Sequence, residues 1–518
     1  MRSFFDKLKT APATQKTHRI SLGWVCFIAL MAGAILPFAL APYHFWWLAI
    51  LSPALLYACL HQRSSKHAFL IGWAFGCGLW FIGAFWLYTS IHIYGDTSSV
   101  LSVILIALMA SIMGLFNAVQ AWVYRRFFPE TPLTFTPLWV IFEWLKTWLF
   151  TGFPWLFAGY AFTNYGLDEY APLFGIFGVS FVVILIATAF TECLFGKRFW
   201  LIPIVLVILG AWGAKQLHWV STKTEAPLSV SLIQGNIPQD LKWLTEYQAQ
   251  TLSIYATLSQ NEWGRDLVVW PESSIPMFQT EIQPFLDSMS TQAKIAHSAW
   301  VTGIPYWQEV KSPDKYPQYY NAIMASGMDT QGLYFKQRLV PFGEYIPLAG
   351  TLKWLLPGLQ QGISSYSAGH DHQTPLMIKN HRLAAAICYE IAYPNLTRQN
   401  AKDNDFLVTI SNDAWFTGTT GPWQHLQMVQ MRAKENGRWI IRATNTGVTA
   451  IINAQGQIVK QLPVDTRAVL RGDLPAMTGE TLYSRLGDWS ILVLSLLLLL
   501  LGIGFKPAVV DTSYKQRR

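Results

Sequence analysis

The chain has 518 residues, enough for two or three domains, but only 13% of them are charged while 52% are hydrophobic, with 24 tryptophans. That composition excludes an ordinary soluble protein. The formal net charge of +8 does not point to nucleic acid, because the lysines and arginines cluster beside apolar runs, where they set membrane topology.

In chain order, runs long enough to cross about 30 Å of hydrocarbon lie near residues 20–40, 45–60, 68–90, 100–123, 133–150, 171–193 and 199–213, with an eighth near 489–505. The fifth is interrupted by Glu143 and Lys146, one helical turn apart, which can pair or face a polar cavity between helices. Ionisable residues return at ordinary density from Glu225 to Glu480. The expected organisation is a cytoplasmic segment 1–19, a seven-span membrane domain 20–216, a soluble insert 217–487, an eighth span 488–506 and a tail 507–518. The first apolar run has no small-residue cleavage site after it and reads as a retained span.

Orientation follows from the basic residues. Arg2, Lys7, Lys9, Lys16 and Arg19 precede the first run; Arg63 and Lys66, Arg125 and Arg126, and Lys197 and Arg198 occupy alternate connections, and Lys506, Lys515, Arg517 and Arg518 the tail. The connections at 41–44 and 91–99 carry none. The positive-inside rule then puts both termini in the cytoplasm and the insert on the opposite side of the membrane.

Within the insert, strand-like and helix-like stretches alternate. Strands are expected at 229–235, 266–270, 299–304 and 405–410, helices at 247–263, 280–297 and 421–438, and a β-rich stretch at 439–462. Such alternation suggests an α/β layered domain whose sites lie at strand ends. One end carries Glu272, after Val268-Val-Trp-Pro271; another carries Cys388, after an alanine-rich strand; Lys336 lies in the segment Tyr334–Pro347. Cys26, Cys59, Cys77 and Cys193 sit in apolar runs, so Cys388 has no disulfide partner in its own domain. A lone thiol there is inert packing or a nucleophile. With a carboxylate as base and a lysine for the oxyanion, Glu272, Lys336 and Cys388 can run acyl transfer without histidine. No histidine, including His425, has metal-ligand spacing, and the insert has neither a glycine-rich phosphate loop nor a Gly-x-Ser-x-Gly elbow. No metal or cofactor is expected.

The sequence around these groups resembles the nitrilase (carbon–nitrogen hydrolase) superfamily, on Trp270-Pro-Glu272, the Lys336 segment, Cys388-Tyr-Glu390, Asn412-Asp-Ala-Trp-Phe416 and Arg432-Ala-Lys-Glu-Asn436. It is more similar still to a membrane family within it, the apolipoprotein N-acyltransferases of Gram-negative bacteria. The shared features there are Gln234-Gly-Asn-Ile-Pro-Gln239, Leu339-Val-Pro-Phe-Gly-Glu-Tyr345, Glu143-Trp144, Gly152-Phe-Pro-Trp-Leu156 and the place of the insert between the seventh and eighth spans. The resemblance covers residues 20–505. It implies an eight-span helical membrane domain plus an external α-β-β-α sandwich. It further implies a bacterial inner-membrane enzyme, monomeric, with its catalytic domain in the periplasm. The implied reaction moves an acyl chain from a phospholipid, through a thioester on Cys388, to the α-amino group of a diacylglyceryl apolipoprotein. Glu272 is then the base, and Lys336 with the Tyr389 N–H the oxyanion site. Glu344, Tyr389 and Glu390 support them, and Tyr389, Trp243, Trp415 and Phe416 line the approach, although the two tryptophans suit packing or interfacial anchoring equally well. The apolar stretch Leu352–Leu359 reads either as a lid or as packing on the spans. From the residues alone, a membrane-tethered amidase on a small amide and a non-enzymatic ligand-binding membrane protein remain as alternatives.

Overall fold

The computed structural model describes residues 20–309, 317–346 and 366–504. The Leu352–Leu359 stretch and both basic terminal segments lie outside them.

Helices occupy all eight apolar runs: α1 (Leu22–Ile35), α2 (Leu48–Leu60), α3 (Ser65–Gly83), α4 (Ser99–Phe127), α5 (Pro132–Leu145), α6 (Ala171–Leu194), α7 (Leu201–Lys215) and, at the end of the chain, Trp489–Gly504. By length and composition, four helical stretches among the described residues can cross a membrane, those at Leu22–Ala39, Ser99–Phe127, Leu167–Leu194 and Arg198–Lys215. A fifth is added if α3 and the following Leu87–Tyr94, bent by 64°, count as one span. The expected eight is therefore not reached on that measure, for geometric reasons. At 1.5 Å per residue α2 is only about 20 Å long, and α5 stops at Lys146, short of the expected 150. Lipid-facing character is plain on α4, whose Val100, Ile104, Leu108 and Ile112 recur every four residues and are all exposed. Its other face meets α3 closely, because Gly76 and Gly114 oppose each other: a Cβ on Gly76 would lie 2.5 Å from the Gly114 Cα.

Glu143 and Lys146 are both buried. Glu143 Oε1 accepts from Trp139 Nε1 and from the Ala158 N–H, each at 2.9 Å. Lys146 Nζ lies over the rings of Trp80 and Phe157 at 5.6 and 5.4 Å. Each thus finds its own partners, and Glu143 pins the connection that follows α5.

The insert begins with β1 (Val220–Thr222), which pairs with β14 (Met477–Gly479) as a short ribbon. Twelve strands lie between: β2 (Leu228–Gln234), β3 (Leu267–Val269), β4 (Ala299–Gln308), β5 (Gln318–Gly327), β6 (Thr330–Phe335), β7 (Leu376–Ile378), β8 (His381–Ile387), β9 (Phe406–Ser411), β10 (Ile440–Thr444), β11 (Ala450–Ile452), β12 (Ile458–Gln461) and β13 (Ala468–Leu474). They are hydrogen-bonded in the order β12-β11-β10-β9-β8-β7-β6-β5-β4-β3-β2-β13. The parallel pairs are β2–β3, β3–β4, β8–β9 and β9–β10.

Period-two alternation folds this run into two packed layers. Leu267, Val269, Ala299 and Val301 from one half share a core with Leu383, Ala385, Ile387, Val408 and Ile410 from the other. The opposite faces pack on helices. Val268, Trp270 and Trp300 meet Tyr255 of α8 (Thr245–Ser259) and Leu286 and Met289 of α9 (Gln283–Ile295). Ala384, Ala386 and Leu407 meet Leu426, Val429 and Ala433 of α11 (Gly421–Asn436); the short α10 (Pro394–Ala401) adds Ala401. The α-β-β-α sandwich implied by the resemblance is the observed architecture. Helix Trp489–Gly504 (α12) then returns to the membrane part and packs on α5.

Candidate active site

Glu272, Lys336 and Cys388 come from three separate strand ends and meet in one cluster, the first two buried and Cys388 half-buried. Glu272 follows β3 and the turn Trp270-Pro271, and its neighbour Gly303 on β4 lets the two strands close up. A Cβ on Gly303 would stand 2.6 Å from the Pro271 carbonyl and 2.7 Å from the Glu272 Cα. Lys336 ends β6, and Cys388 ends β8 with φ of 52°. A left-handed cysteine is strained. The bend turns the side chain out of the sheet.

The Glu272 carboxylate is held at both oxygens. Oε1 accepts from Asn321 Nδ2 at 2.8 Å and lies 3.4 Å from Lys336 Nζ, while Oε2 accepts from the Asn412 N–H at 2.8 Å. Lys336 Nζ donates at 2.8 Å to Glu344 Oε1, which also accepts from Asn321 Nδ2 at 3.0 Å; Glu344 Oε2 takes the Val340 N–H at 2.8 Å. Burial pushes Glu272 up, but the Lys336 charge, the Asn321 bond, Lys242 and the Asn412 bond outweigh it, so it sits below its ordinary value. Burial lowers Lys336, yet the charges of Glu344 and Glu272 win and keep it firmly an ammonium. For Cys388, burial and the Glu272 charge hold the thiol well above its usual range, against the pull of Lys336. The resting site is therefore thiol, carboxylate and ammonium. It can deprotonate a thiol only as that thiol attacks.

The remaining expected residues fall into two groups. Glu390 is fully buried and organises the site rather than facing it. Its carboxylate accepts from the N–H groups of Ile387, Gln337 and Arg338 at 2.7, 2.6 and 3.2 Å and from the Tyr334 hydroxyl, tying the Lys336 strand end to the Cys388 strand end. Tyr389 is also buried; its ring lies against Trp155 and Phe153 of the membrane part and its hydroxyl donates to the Gly152 carbonyl at 3.2 Å. Trp243 is 44% exposed and Trp415 37%, the latter edge-on to Tyr94, whereas Phe416 packs on Trp86. Trp415 and Phe416 thus straddle the junction with the membrane part.

Four contributors were not legible as site residues. Asn321 bridges the two glutamates. Ser411 Oγ donates to Asp413 Oδ1 at 2.6 Å and lies 3.3 Å from Cys388 Sγ. His425 Nε2 lies 3.0 Å from the Cys388 carbonyl, and its Nδ1 3.3 Å from Asp413 Oδ1, with Arg442 2.5 Å from Asp413 Oδ2. Lys242, wholly buried, donates from Nζ to the Glu272 carbonyl at 3.1 Å. Ser411 at least closes a strand, where sites are built, but Asn321 lies inside β5, and neither it nor His425 offered a signal beyond its residue type.

Comparison with known proteins finds relatives for both parts of the chain. Residues 32–189 match the apolipoprotein N-acyltransferase N-terminal domain, and residues 229–483 match carbon-nitrogen hydrolase. The apolipoprotein N-acyltransferase of Pseudomonas putida is 39% identical over 483 residues, 91% of this chain and 95% of the relative. The chain belongs to that family. The Vibrio parahaemolyticus apolipoprotein N-acyltransferase is 36% identical over 89% of this chain and 94% of its own length. Among solved structures, a mutant of the Nesterenkonia AN1 amidase from the nitrilase superfamily superposes with a TM-score of 0.37 at 15% identity, covering 52% of this chain and 97% of that one.

Proposed function

We propose that this family member works as a two-step acyltransferase on membrane-anchored substrates, with Cys388 as its nucleophile. The supporting observation is the convergence of Glu272 and Lys336 on a thiol held at a left-handed elbow. In the first step Cys388 Sγ attacks the ester carbonyl of a phospholipid while its proton passes to Glu272. The oxyanion is met by Lys336 Nζ and the Tyr389 N–H. Collapse breaks the ester bond; the lysophospholipid oxygen leaves with the proton from Glu272, and an acyl thioester remains. In the second step the α-amino group of a diacylglyceryl apolipoprotein attacks the thioester. Glu272 takes the amine proton and returns it to the departing thiolate. Glu344 and Glu390 position Lys336, and Trp243, Trp415 and Phe416 border the entry of the two lipid chains.

Residues 217–487 then form a periplasmic catalytic domain on an inner-membrane anchor of eight crossings, with both termini cytoplasmic and the enzyme active as a monomer. The support is the alternation of lysine and arginine between connections and the contact of the 151–160 segment with the Cys388 elbow. Placing the thiol at this junction suits two substrates that never leave the bilayer.

The test is mass spectrometry of purified protein incubated with phospholipid. One acyl adduct on Cys388, released by hydroxylamine and accompanied by lysophospholipid, is expected. Its absence from the unmutated protein, or full activity after Cys388→Ala, would defeat the reading. An adduct formed from a small amide but not from phospholipid would favour the amidase alternative.

A further inference from the structure

Lys242 ends a one-turn helix, Gln239–Lys242, that is wired to Glu272 from both ends, through Asn412 to its carboxylate and directly to its peptide carbonyl. Gln239 Oε1 accepts from Asn412 Nδ2 at 2.7 Å, and Asn412 is the residue whose N–H holds Glu272 Oε2. Lys242 Nζ donates to the Glu272 backbone carbonyl. The turn is also anchored from behind: Asn445 donates to the Ile237 carbonyl at 2.8 Å, accepts the Ile237 N–H at 3.0 Å and contacts Asn412 Oδ1 at 3.0 Å.

Burying an ammonium is costly unless a carboxylate pairs with it. Lys336 has two such carboxylates, and Lys434 has Asp168 and Glu169. Among the described residues Lys242 has no carboxylate within 4 Å; its hydrogen-bond partner is a neutral peptide oxygen. The charges facing it across the site are those of Glu272 and, once ionised, Cys388. Around them stand Lys336 with Glu344, and Asp413 with Arg442 and His425, each already compensated. A fold that keeps an uncompensated lysine beside a general base gains nothing in stability from doing so.

We propose that Lys242 is a positioning residue of the acyl-transfer reaction: as an ammonium it fixes the Glu272 peptide and supplies a second positive charge to the Glu272–Cys388 pair. This rests on the reading of Glu272 as the base. The charge favours the ionised form of both partners, so it keeps the base ionised in the resting enzyme and stabilises the thiolate as it forms. Burial holds the Lys242 ammonium down to about 8, partly offset by Glu272 and Cys388, so the group stays charged at neutral pH and releases its proton more easily than an ordinary lysine. The residue that follows is Trp243, exposed at the site's edge, so a substrate pressing on that tryptophan acts on the turn that orients the base.

The test follows the rate of Cys388 acylation by phospholipid from pH 3 to pH 9 in the full-length protein. Lys242→Met should slow acylation at pH 7 by roughly tenfold and move the acid limb up by about half a pH unit or more. Lys242→Gln keeps a donor for the Glu272 carbonyl but drops the charge, and should show the same displaced limb. Lys242→Arg should leave the limb in place. A rate loss with an unmoved limb in the Met and Gln variants would assign Lys242 to packing and overturn the proposal, as would acylation within twofold of the parent. If Met fails to fold, Gln and Arg alone decide it. Glu272→Gln serves as the reference: if it acylates normally, the base assignment itself falls, whatever Lys242 does.

Discussion

In the proposed mechanism Cys388 is the residue on which the local chemistry turns and Glu272 its base, and the surroundings of the thiol make it a poor nucleophile at rest. Burial and the neighbouring carboxylate keep the thiol protonated, which protects an unpaired cysteine from oxidation and makes attack depend on Glu272. The base itself is depressed, so the sign of its pH dependence is fixed. Glu272 is ionised above its lowered value, so the midpoint of the acid limb of acylation is expected below the ordinary carboxylate value of 4.5. Lys336→Met removes the largest opposing charge and should move that acid limb upward, together with a loss of about a hundredfold or more in rate as the oxyanion loses its cation. Glu344→Gln should act more mildly, by roughly tenfold, because Lys336 retains Glu272 as a partner; both are read from single-turnover acylation. The three central residues were legible in the sequence because each sits in a distinctive short motif. Asn321, Ser411 and Lys242 were not, since an asparagine, a serine and a lysine carry no local signature. Their importance exists only after three strand ends have been brought together.

At the scale of elements, the strands that could be anticipated were those buried on both faces, where apolar runs such as Leu267–Trp270 and Phe406–Val408 announce themselves. Strands β5 and β13 escaped. The first is interrupted by Gln318, Asn321 and Ser326, and the second, lying at the end of the strand order, carries Arg471 and Asp473 on its open side. Gly303 shows how a strand builds the site without touching substrate. Its missing Cβ leaves room for the Glu272 backbone, and the nearest obstacles to a larger residue are peptide atoms that cannot rotate away. Gly303→Ala should therefore displace the base as well as strain the sheet, with a stability loss of about 1–3 kcal/mol. Acylation should fall further than that loss explains in molecules that remain folded. Comparing thermal midpoints with acylation rates separates the two effects, and a stable, fully active Gly303→Ala protein would contradict the packing argument.

For the whole molecule, the decisive element is α11, which reads in sequence as an ordinary half-polar helix but is buried along its entire length. Its polar residues do not face solvent; His425 faces the Cys388 elbow and several others face the membrane part. Gln424 accepts from Trp155 Nε1, Gln427 accepts the Ala41 N–H and donates to the Tyr160 carbonyl, and Lys434 pairs with Asp168. Within α11 itself Arg432 and Glu435 pair, neither residue exposed, and Arg432 also reaches the Tyr160 hydroxyl of the membrane part. Glu435 Oε1 also takes the Ile176 N–H at 2.7 Å, a donor next to Gly175, whose φ of 67° interrupts α6. The break in a membrane helix and the carboxylate from the catalytic domain are thus two halves of one feature, invisible to a reading that treats the halves separately. Removing one partner should be severe. Glu435→Ala strands both the Arg432 guanidinium and the Ile176 N–H, an expected loss of about 3–5 kcal/mol. Arg432→Met combined with Glu435→Gln removes the buried charges while keeping an acceptor for Ile176, and should recover most of it. Detergent-solubilised variants can be compared by heat-induced unfolding followed through tryptophan fluorescence. If the single and double variants melt together, the pair does not hold the halves. If only the single variant collapses, the buried charge is what fastens the catalytic domain over the membrane part, and with it the Tyr389–Gly152 contact that holds the segment beside Cys388.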